Sequence, residues 1–143
     1  QNLINILKDK KILKIFHYAR FDIGILNYSY NLNIQNIYCT KIASKIARTF
    51  TDKHGYKDIC KDLLGENIIK EEQTSDWGVN KISINQQKYA ATDVLHLHKL
   101  MEKLNEILIR ENRFELARGC FNFIEHRVKL DLSGWSEMDI FRH

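Results

Sequence analysis

A tyrosine and an aspartate four residues apart are the first candidates for chemistry in this chain. Tyr89 and Asp93 lie in a run of helical periodicity, residues 85–95. Because residues four apart are neighbours on a helix surface, the phenol and the carboxylate are expected to face one small volume. That volume has groups suited to a metal ion and its bound water.

A second candidate is the segment from His17 to Asp22, which begins where a short apolar run ends. In open α/β sheets, ligands bind beyond the carboxyl ends of the strands, so Asp22 is placed for a site. Two plainer interpretations stay open. An aspartate in a first helical turn also complements the helix dipole and the free amides. His17 at a strand end is at least as well explained as a packed, hydrogen-bonded histidine.

Trp77 lies in a long polar connection, residues 67–83. Long loops are often functional, and a tryptophan can stack on a nucleic-acid base. A tryptophan that packs the loop against the body of the protein is the more common case. Both interpretations of Trp77 are kept.

The elements that would position these residues alternate between helix and strand at the start of the chain. The patterns predict a helix at residues 3–7, a buried strand at 12–16, a helix from Ala19, a strand at 37–39 and a helix that Thr40 caps. The apolar stripe of the helix from Ala19 is assigned to Phe21, Ile25, Leu26 and Tyr28. This alternation is typical of an α/β fold.

From Tyr56 onward the chain is predicted to be almost wholly helical. The predicted segments are 56–64 with Gly65 as a stop, 85–109, 113–128 and a short helix at 133–141 capped by Ser133. The apolar face of residues 113–128 fits two roles, a surface for a protein partner and a contribution to the core. Packing in the core is the better account of it.

Composition and length set broad limits on the function. A chain of 143 residues has the size of one domain, and no proline or Gly/Ser-rich tract marks a linker. The net charge of +4 mildly favours a polyanionic partner. Three widely spaced cysteines make no disulfide framework and no zinc clip, so a reducing cytoplasm is the expected location. No apolar run is long enough for a membrane span, and a membrane partner is not expected.

The order of the two candidate motifs resembles a known enzyme family. His17-x-Ala19-x-x-Asp22 after an apolar strand, with Tyr89-x-x-x-Asp93 downstream in a long helix, resembles the second and third motifs of the ribonuclease D family. These are DEDD-type 3′–5′ exonucleases of the subgroup with tyrosine in the third motif. The segments 55–65, 75–77 and 130–141 are also similar to that family.

The resemblance implies a ribonuclease H-like α/β exonuclease fold, here mostly helical because the N-terminal strands are absent. It also implies hydrolysis at a nucleic-acid 3′ end, with RNA favoured over DNA and the choice between them left open. It implies two Mg²⁺ or Mn²⁺ ions, with Asp93 as a direct ligand and Asp22 near the second ion. Tyr89 would orient the attacking water, since a phenol with a pKa of about 10 is a poor base at neutral pH. His17, Arg20 and Trp77 are the expected substrate contacts.

Two departures from the family pattern limit this expectation. Tyr18 stands where asparagine is expected, and the first motif, Asp-x-Glu, occurs nowhere in the chain. With Gln1 as its first residue, the chain is expected to be one N-terminally incomplete exonuclease domain, residues 1–143. We expect weak metal binding and little activity unless a separate N-terminal fragment or self-association completes it. The alternatives are a catalytically inactive nucleic-acid-binding module and a helical interaction protein.

Overall fold

A computed structural model describes the backbone of residues 2–68 and 84–143 and the side chains of residues 3–68 and 96–143, and the statements below refer to these parts. The elements in chain order are helix α1 (Asn2–Lys8), strand β1 (Lys14–Phe16), helix α2 (Ala19–Tyr30), strand β2 (Ile37–Cys39), and helices α3 (Thr40–Ala47), α4 (Tyr56–Leu64), α5 (Ile84–Arg110) and α6 (Phe114–Leu130). A π-helical turn, Asp131–Trp135, follows α6 directly.

The two strands pair in parallel, with Lys14 opposite Ile37 and Phe16 opposite Cys39. Helix α2 connects them, because parallel strands need a crossover of this kind. All three residues of β2 are buried, as expected for a strand covered on both faces. The predicted α/β alternation is therefore confirmed in a molecule that is mostly helical.

The core lies where α3, α5 and α6 pack against one another and against the sheet. Helix α5 contributes Leu100, Leu104 and Leu108, which are fully buried at intervals of four residues. From α6, the ring of Phe121 packs 4.6 Å from that of Tyr38, centroid to centroid. The apolar face predicted for residues 113–128 thus belongs to the core, and its interpretation as a partner surface is wrong.

The apolar stripe of α2 also differs from the prediction. Ala19 and Ile23 are buried, and of the four predicted residues Leu26 packs against the core. Phe21, Ile25 and Tyr28 are 58%, 48% and 81% exposed. At 100° per residue the two sets lie on opposite sides of the helix. The side that carries Ala19, Ile23 and Leu26 packs against the sheet and α6.

Two predicted caps are wrong, and the predicted stop at Gly65 is right. Cys39 is the N-cap of α3, so Thr40 is already helical, and its hydroxyl donates to the Phe16 carbonyl at 3.3 Å. Ser133 lies inside the π-helical turn that extends α6, and no separate helix begins there. Gly65 ends α4 with φ of 69°, a conformation that favours glycine. No helix in the described ranges is long and apolar enough to cross a membrane.

Candidate active site

The turn between β1 and α2 places the first set of candidate residues at the carboxyl end of the sheet. Tyr18 adopts a left-handed conformation with φ of 63°, which is uncommon for a residue other than glycine. This reversal brings the chain from β1 directly into α2. As a result, Asp22 lies half-buried in the first turn of α2, beside the strand end.

His17 is held by a hydrogen bond to the first residue of α3, Thr40. Its Nδ1 atom lies 2.9 Å from the Thr40 hydroxyl, which donates its own proton to the Phe16 carbonyl. We therefore assign the imidazole proton to Nδ1, which donates to Thr40 Oγ1. Burial, and secondly the charge of Lys41, lower the pKa of His17 to about 4.

The ring of His17 also meets Tyr56 edge to face at a centroid distance of 5.7 Å. The interpretation of His17 as a packed, hydrogen-bonded residue is confirmed by these contacts. Since the imidazole is neutral at pH 7, it brings no positive charge to a phosphate. Its contact with substrate stays a prediction.

Arg20 points to the end of the chain. Its Nε and one terminal nitrogen each donate to a carboxylate oxygen of Asp131 at 2.7 Å. The same terminal nitrogen donates to the Ser136 carbonyl at 3.1 Å. This bidentate pair raises the pKa of Arg20 and lowers that of Asp131, each mainly through the shared hydrogen bond. Substrate contact by Arg20 stays a prediction.

A second arginine holds the same segment. Arg127 donates to Asp131 at 3.2 Å and to the carbonyls of Trp135 and Met138 at 2.6 and 3.0 Å. Together, Arg20 and Arg127 fix the C-terminal segment beside the first turn of α2. One part of this arrangement could have been predicted from the sequence. Arg127 and Asp131 are four residues apart, a spacing that suits an ion pair on a helix.

A buried hydrogen-bond network around Arg48 was not predicted from the sequence. Arg48 is 1% exposed and donates to the hydroxyl of Ser44 at 3.0 Å, to the carbonyl of Lys53 at 2.9 Å, and to Asp62. The Ser44 hydroxyl also bonds His54 Nδ1 at 2.7 Å. Burial, followed by the charge of Arg48, lowers the pKa of His54.

This network fixes the loop between α3 and α4, which ends one residue before Tyr56. The Tyr56 ring in turn contacts His17. Arg48 therefore supports the candidate site indirectly, because the loop that it holds leads to Tyr56, and Tyr56 packs against His17. No sequence motif marks it, because its partners lie 4, 5 and 14 residues away in three different elements or loops.

The second set of candidates lies on α5. Tyr89 and Asp93 fall within the helix Ile84–Arg110, as predicted, and are separated by about one turn. Their side chains, and the whole of Trp77, lie outside the described residues. Within the side chains that the structure describes, no group of three or more His, Cys, Asp or Glu residues could hold a metal ion.

Comparisons with known proteins identify the family. Residues 1–109 match the family model of a 3′–5′ exonuclease domain. The chain is 36% identical over 110 residues to ribonuclease D of Gluconacetobacter diazotrophicus, covering 77% of this chain and 28% of that protein. The chain belongs to the 3′–5′ exonuclease family, and the resemblance to ribonuclease D is confirmed.

Solved structures agree with this assignment. NrnC of Brucella melitensis is 48% identical, with a TM-score of 0.95 over all of this chain and 69% of that chain. Ribonuclease D of Escherichia coli, at 22% identity, has a TM-score of 0.80 over 89% of this chain and 34% of that one, a likeness of fold. The predicted fold class is thereby confirmed, and the chain spans less than a third of the curated relative.

Proposed function

We propose that this chain carries the catalytic face of a metal-dependent 3′–5′ exonuclease that hydrolyses phosphodiester bonds at RNA 3′ ends. The observation that carries the proposal is the placement of Asp22. It lies in the first turn of the helix that follows a parallel strand, at the edge of the sheet where α/β proteins bind ligands. Membership of the exonuclease family supports the reaction class.

Each candidate residue is assigned one role. Asp93 would bind a divalent ion directly, and Asp22 would lie beside a second ion. The phenol of Tyr89 would position the attacking water, and a bound ion would supply the acidity that lets this water ionise near neutral pH. His17 stays neutral at pH 7 because of its low pKa, so it supports the turn through Thr40 and carries no charge.

The donor set fits Mg²⁺ or Mn²⁺, since carboxylate oxygens are the ligands that such hard ions prefer. Asp22 provides one such group at the sheet edge, half-buried and so partly removed from competing water. A relative's structure, Brucella melitensis NrnC at 47% identity, contains bound Mg²⁺. The ions would neutralise charge on the phosphodiester and polarise the scissile bond.

RNA is the proposed substrate. Most of the curated relatives are named ribonuclease D, and one solved structure of the 48% identical NrnC is bound to pGG. RNA processing, including trimming of tRNA 3′ ends, in the cytoplasm is the setting we propose.

The metal site of these 143 residues is proposed to be incomplete. The sequence contains no Asp-x-Glu, and the chain covers 69% of the NrnC chain. Two divalent ions repel each other, so a site with two carboxylates holds them weakly. We propose that further acidic residues from outside these 143 residues complete the site, either from a separate fragment or from the same gene.

The absence of Asp-x-Glu from the sequence also favours a second candidate function, a nucleic-acid-binding module without catalysis. Salt-sensitive binding of RNA without hydrolysis would be its sign.

The experiment compares two proteins on a 5′-labelled RNA, the 143-residue chain and a version extended by the coding sequence upstream of Gln1. We expect the extended protein to produce a ladder of shorter products with Mg²⁺ or Mn²⁺ and none with a chelator. Replacing Asp93 or Asp22 by asparagine should lower the rate by about 10²–10³-fold, which corresponds to several kcal/mol of lost metal stabilisation.

Replacing Tyr89 by phenylalanine should cost less, because only the positioning of water is lost. Metal-dependent digestion by the 143-residue chain alone, abolished by Asp93→Ala, would contradict the claim that the site is incomplete. Absence of digestion by the extended protein would favour the binding module.

A further inference from the structure

A groove of about 770 Å³ runs between α3 and α6, next to the turn that carries the candidate site. Tyr18 of that turn and Arg20 at the start of α2 line it, together with Lys41 and Lys45 of α3. Its volume is within the range of about 300–1,000 Å³ that is typical of ligand clefts. The roles proposed above for Asp22, Tyr89 and Asp93 do not use this groove.

The charges that line the groove are mostly positive. Its basic residues are Arg20, Lys41, Lys45 and Arg127, and its one acidic residue is Glu115. Both arginines are engaged by Asp131. Within the part of the chain that the structure describes, neither lysine forms an ion pair, so their charges are available to an anion in the groove.

The two lysines are four residues apart on α3 and therefore lie on the same side of that helix. The ammonium group of Lys41 lies 4.4 Å from the centroid of the Tyr18 ring. Phe123 and Phe141 provide further aromatic surface on the opposite wall. Cations beside aromatic faces are the combination that binds single-stranded nucleic acid, through phosphates and stacked bases.

Gly119 shows that the groove is open at its α6 wall. A methyl group added at this position would meet no atom within 4 Å. Glycine is unfavourable inside a helix compared with alanine, and neither the packing nor the backbone conformation of α6 requires it here. The space above Gly119 is therefore available to a ligand.

We propose that this groove binds a single-stranded nucleic acid, with a phosphate held by Lys41 and Lys45 and a base stacked on the aromatic rings that line it. The inference rests on the proposed function in one respect, that the same strand would continue to Asp22. Binding itself needs neither metal ions nor hydrolysis. It therefore can be tested separately from catalysis.

The first test measures binding of a fluorescent RNA oligonucleotide to the 143-residue chain in a chelating buffer. The variant Lys41→Glu/Lys45→Glu is compared with Lys99→Glu/Lys103→Glu. The control pair is exposed, has the same spacing of four on a helix, changes the same charge and lies on α5, away from the groove. We expect the groove variant to lose affinity by about tenfold or more, and the control by less than about threefold.

Salt dependence sharpens this comparison. Losing the phosphate contact that the two lysines share should reduce the slope of log affinity against log salt by about 0.7 to 1 in the groove variant. A second variant, Gly119→Leu, fills the groove without changing charge and should also weaken binding. Because its added side chain enters empty space, its fold is expected to persist, which circular dichroism would verify.

Cys120 gives an independent readout, because it is exposed and lines the groove, whereas Cys39 and Cys60 are buried. Alkylation of Cys120 by iodoacetamide should slow several-fold when RNA is added to the unmodified chain. RNA should give no protection in the variant that lacks both groove lysines.

Three results would overturn the proposal. They are equal losses of affinity in the two lysine variants, no protection of Cys120 by RNA, and protection that rises with protein concentration in the absence of RNA. The last result would indicate that a second copy of the chain covers the groove. If RNA binds and protects Cys120 but the extended protein digests no RNA, the proposed function is wrong and the groove proposal is supported. If the groove variants digest RNA as fast as the unmodified protein and RNA does not protect Cys120, only the groove proposal is wrong.

Discussion

The two sides of helix α2 are both apolar in sequence and have opposite fates in the structure. Ala19 and Ile23 on the inner side are at most 1% exposed, whereas Phe21 and Tyr28 on the outer side are 58% and 81% exposed. The inner side packs against the sheet and α6, next to the turn that carries Asp22. The outer side is largely exposed and borders the C-terminal segment.

This difference separates two uses of apolar side chains. Those of the inner side fix the position of the candidate site relative to the sheet. Those of the outer side lie at a surface, together with Ile25 and, from the C-terminal segment, Leu132, which line a shallow groove. Because the inner side chains of α2 are buried, substitutions there and at the residues that hold the site should destabilise the protein more than substitutions on the exposed outer side.

The largest effect is expected from Ile23→Ala. Removing this fully buried side chain should lower the free energy of unfolding by about 2–5 kcal/mol, through lost apolar burial and a residual cavity. The matched change on the outer side, Tyr28→Ala, should alter it by less than about 0.5 kcal/mol. Urea denaturation measures both. Equal losses would mean that the outer side is also covered in the folded protein.

The next effect concerns pH and His17. Its pKa falls from 6.5 to about 4 on folding, so the folded state takes up the proton less readily than the unfolded state. The stabilising contribution is therefore complete above about pH 6.5 and is lost as the pH falls from there towards 4. At about 1.36 kcal/mol per pKa unit, the loss is at most about 3 kcal/mol.

Urea denaturation at pH 7 and pH 5 measures this loss, and His17→Gln is the control without an ionisable ring. Asp131 stays ionised in this range, because its pKa is lowered below the usual carboxyl value. If unmodified and variant chains lose the same stability between the two pH values, burial of His17 is not the cause.

A smaller effect is expected from Arg48→Met, which keeps the volume of the side chain and removes its hydrogen bonds. The Lys53 carbonyl loses the bond from Arg48 and the Ser44 hydroxyl keeps only its bond with His54, at a cost of about 1–3 kcal/mol. The pair with Asp62 adds little, since that carboxylate is 51% exposed. The control is Arg118→Met, which removes an exposed arginine from a surface pair and should be near neutral.

Denaturation midpoints report the stability of both arginine variants, and the His17 ring resonances by NMR report whether Tyr56 has moved. Shifted His17 resonances in the Arg48 variant alone would support the positioning role. Unchanged resonances would restrict Arg48 to a role in stability.

The smallest effect is expected from Arg20→Ala. Its pair with Asp131 is partly exposed and should contribute about 0.2–1 kcal/mol to global stability. Locally, the C-terminal segment should become easier to cleave by proteases, because one of its two arginine anchors is gone. Limited proteolysis measures this, with Arg142→Ala as a control at an exposed position. Unchanged cleavage would show that Arg127 holds the segment alone.

Much of the fold followed from patterns within single elements. Both strands, the starts of α2 and α4 and the glycine that ends α4 were predicted, because each depends on local periodicity or on one backbone preference. The site was predicted as motifs in order, and α5 does carry Tyr89 and Asp93 about one turn apart. Family membership followed from the same order of motifs.

The missed features depend on contacts that are distant in sequence. Arg20 meets Asp131 across 111 residues, and the hydroxyl of Thr40 bonds the end of β1 across 24 residues. Local rules assigned Thr40 to a cap, in which its oxygen would accept a hydrogen bond from a backbone N–H. In the structure its hydroxyl instead donates to the Phe16 carbonyl, which comes within reach only because the two strands pair.

The sequence by itself determined the class of this protein, because motif spacing and helical period depend on covalent order and on the geometry of single elements. It also determined that Asp-x-Glu is absent. Only the tertiary structure decided which side of α2 is buried, that His17 is neutral and bonded to Thr40, and that Lys41 and Lys45 border an open groove. The reason is physical, since burial, desolvation and charge all depend on neighbours that the chain brings together only when it packs.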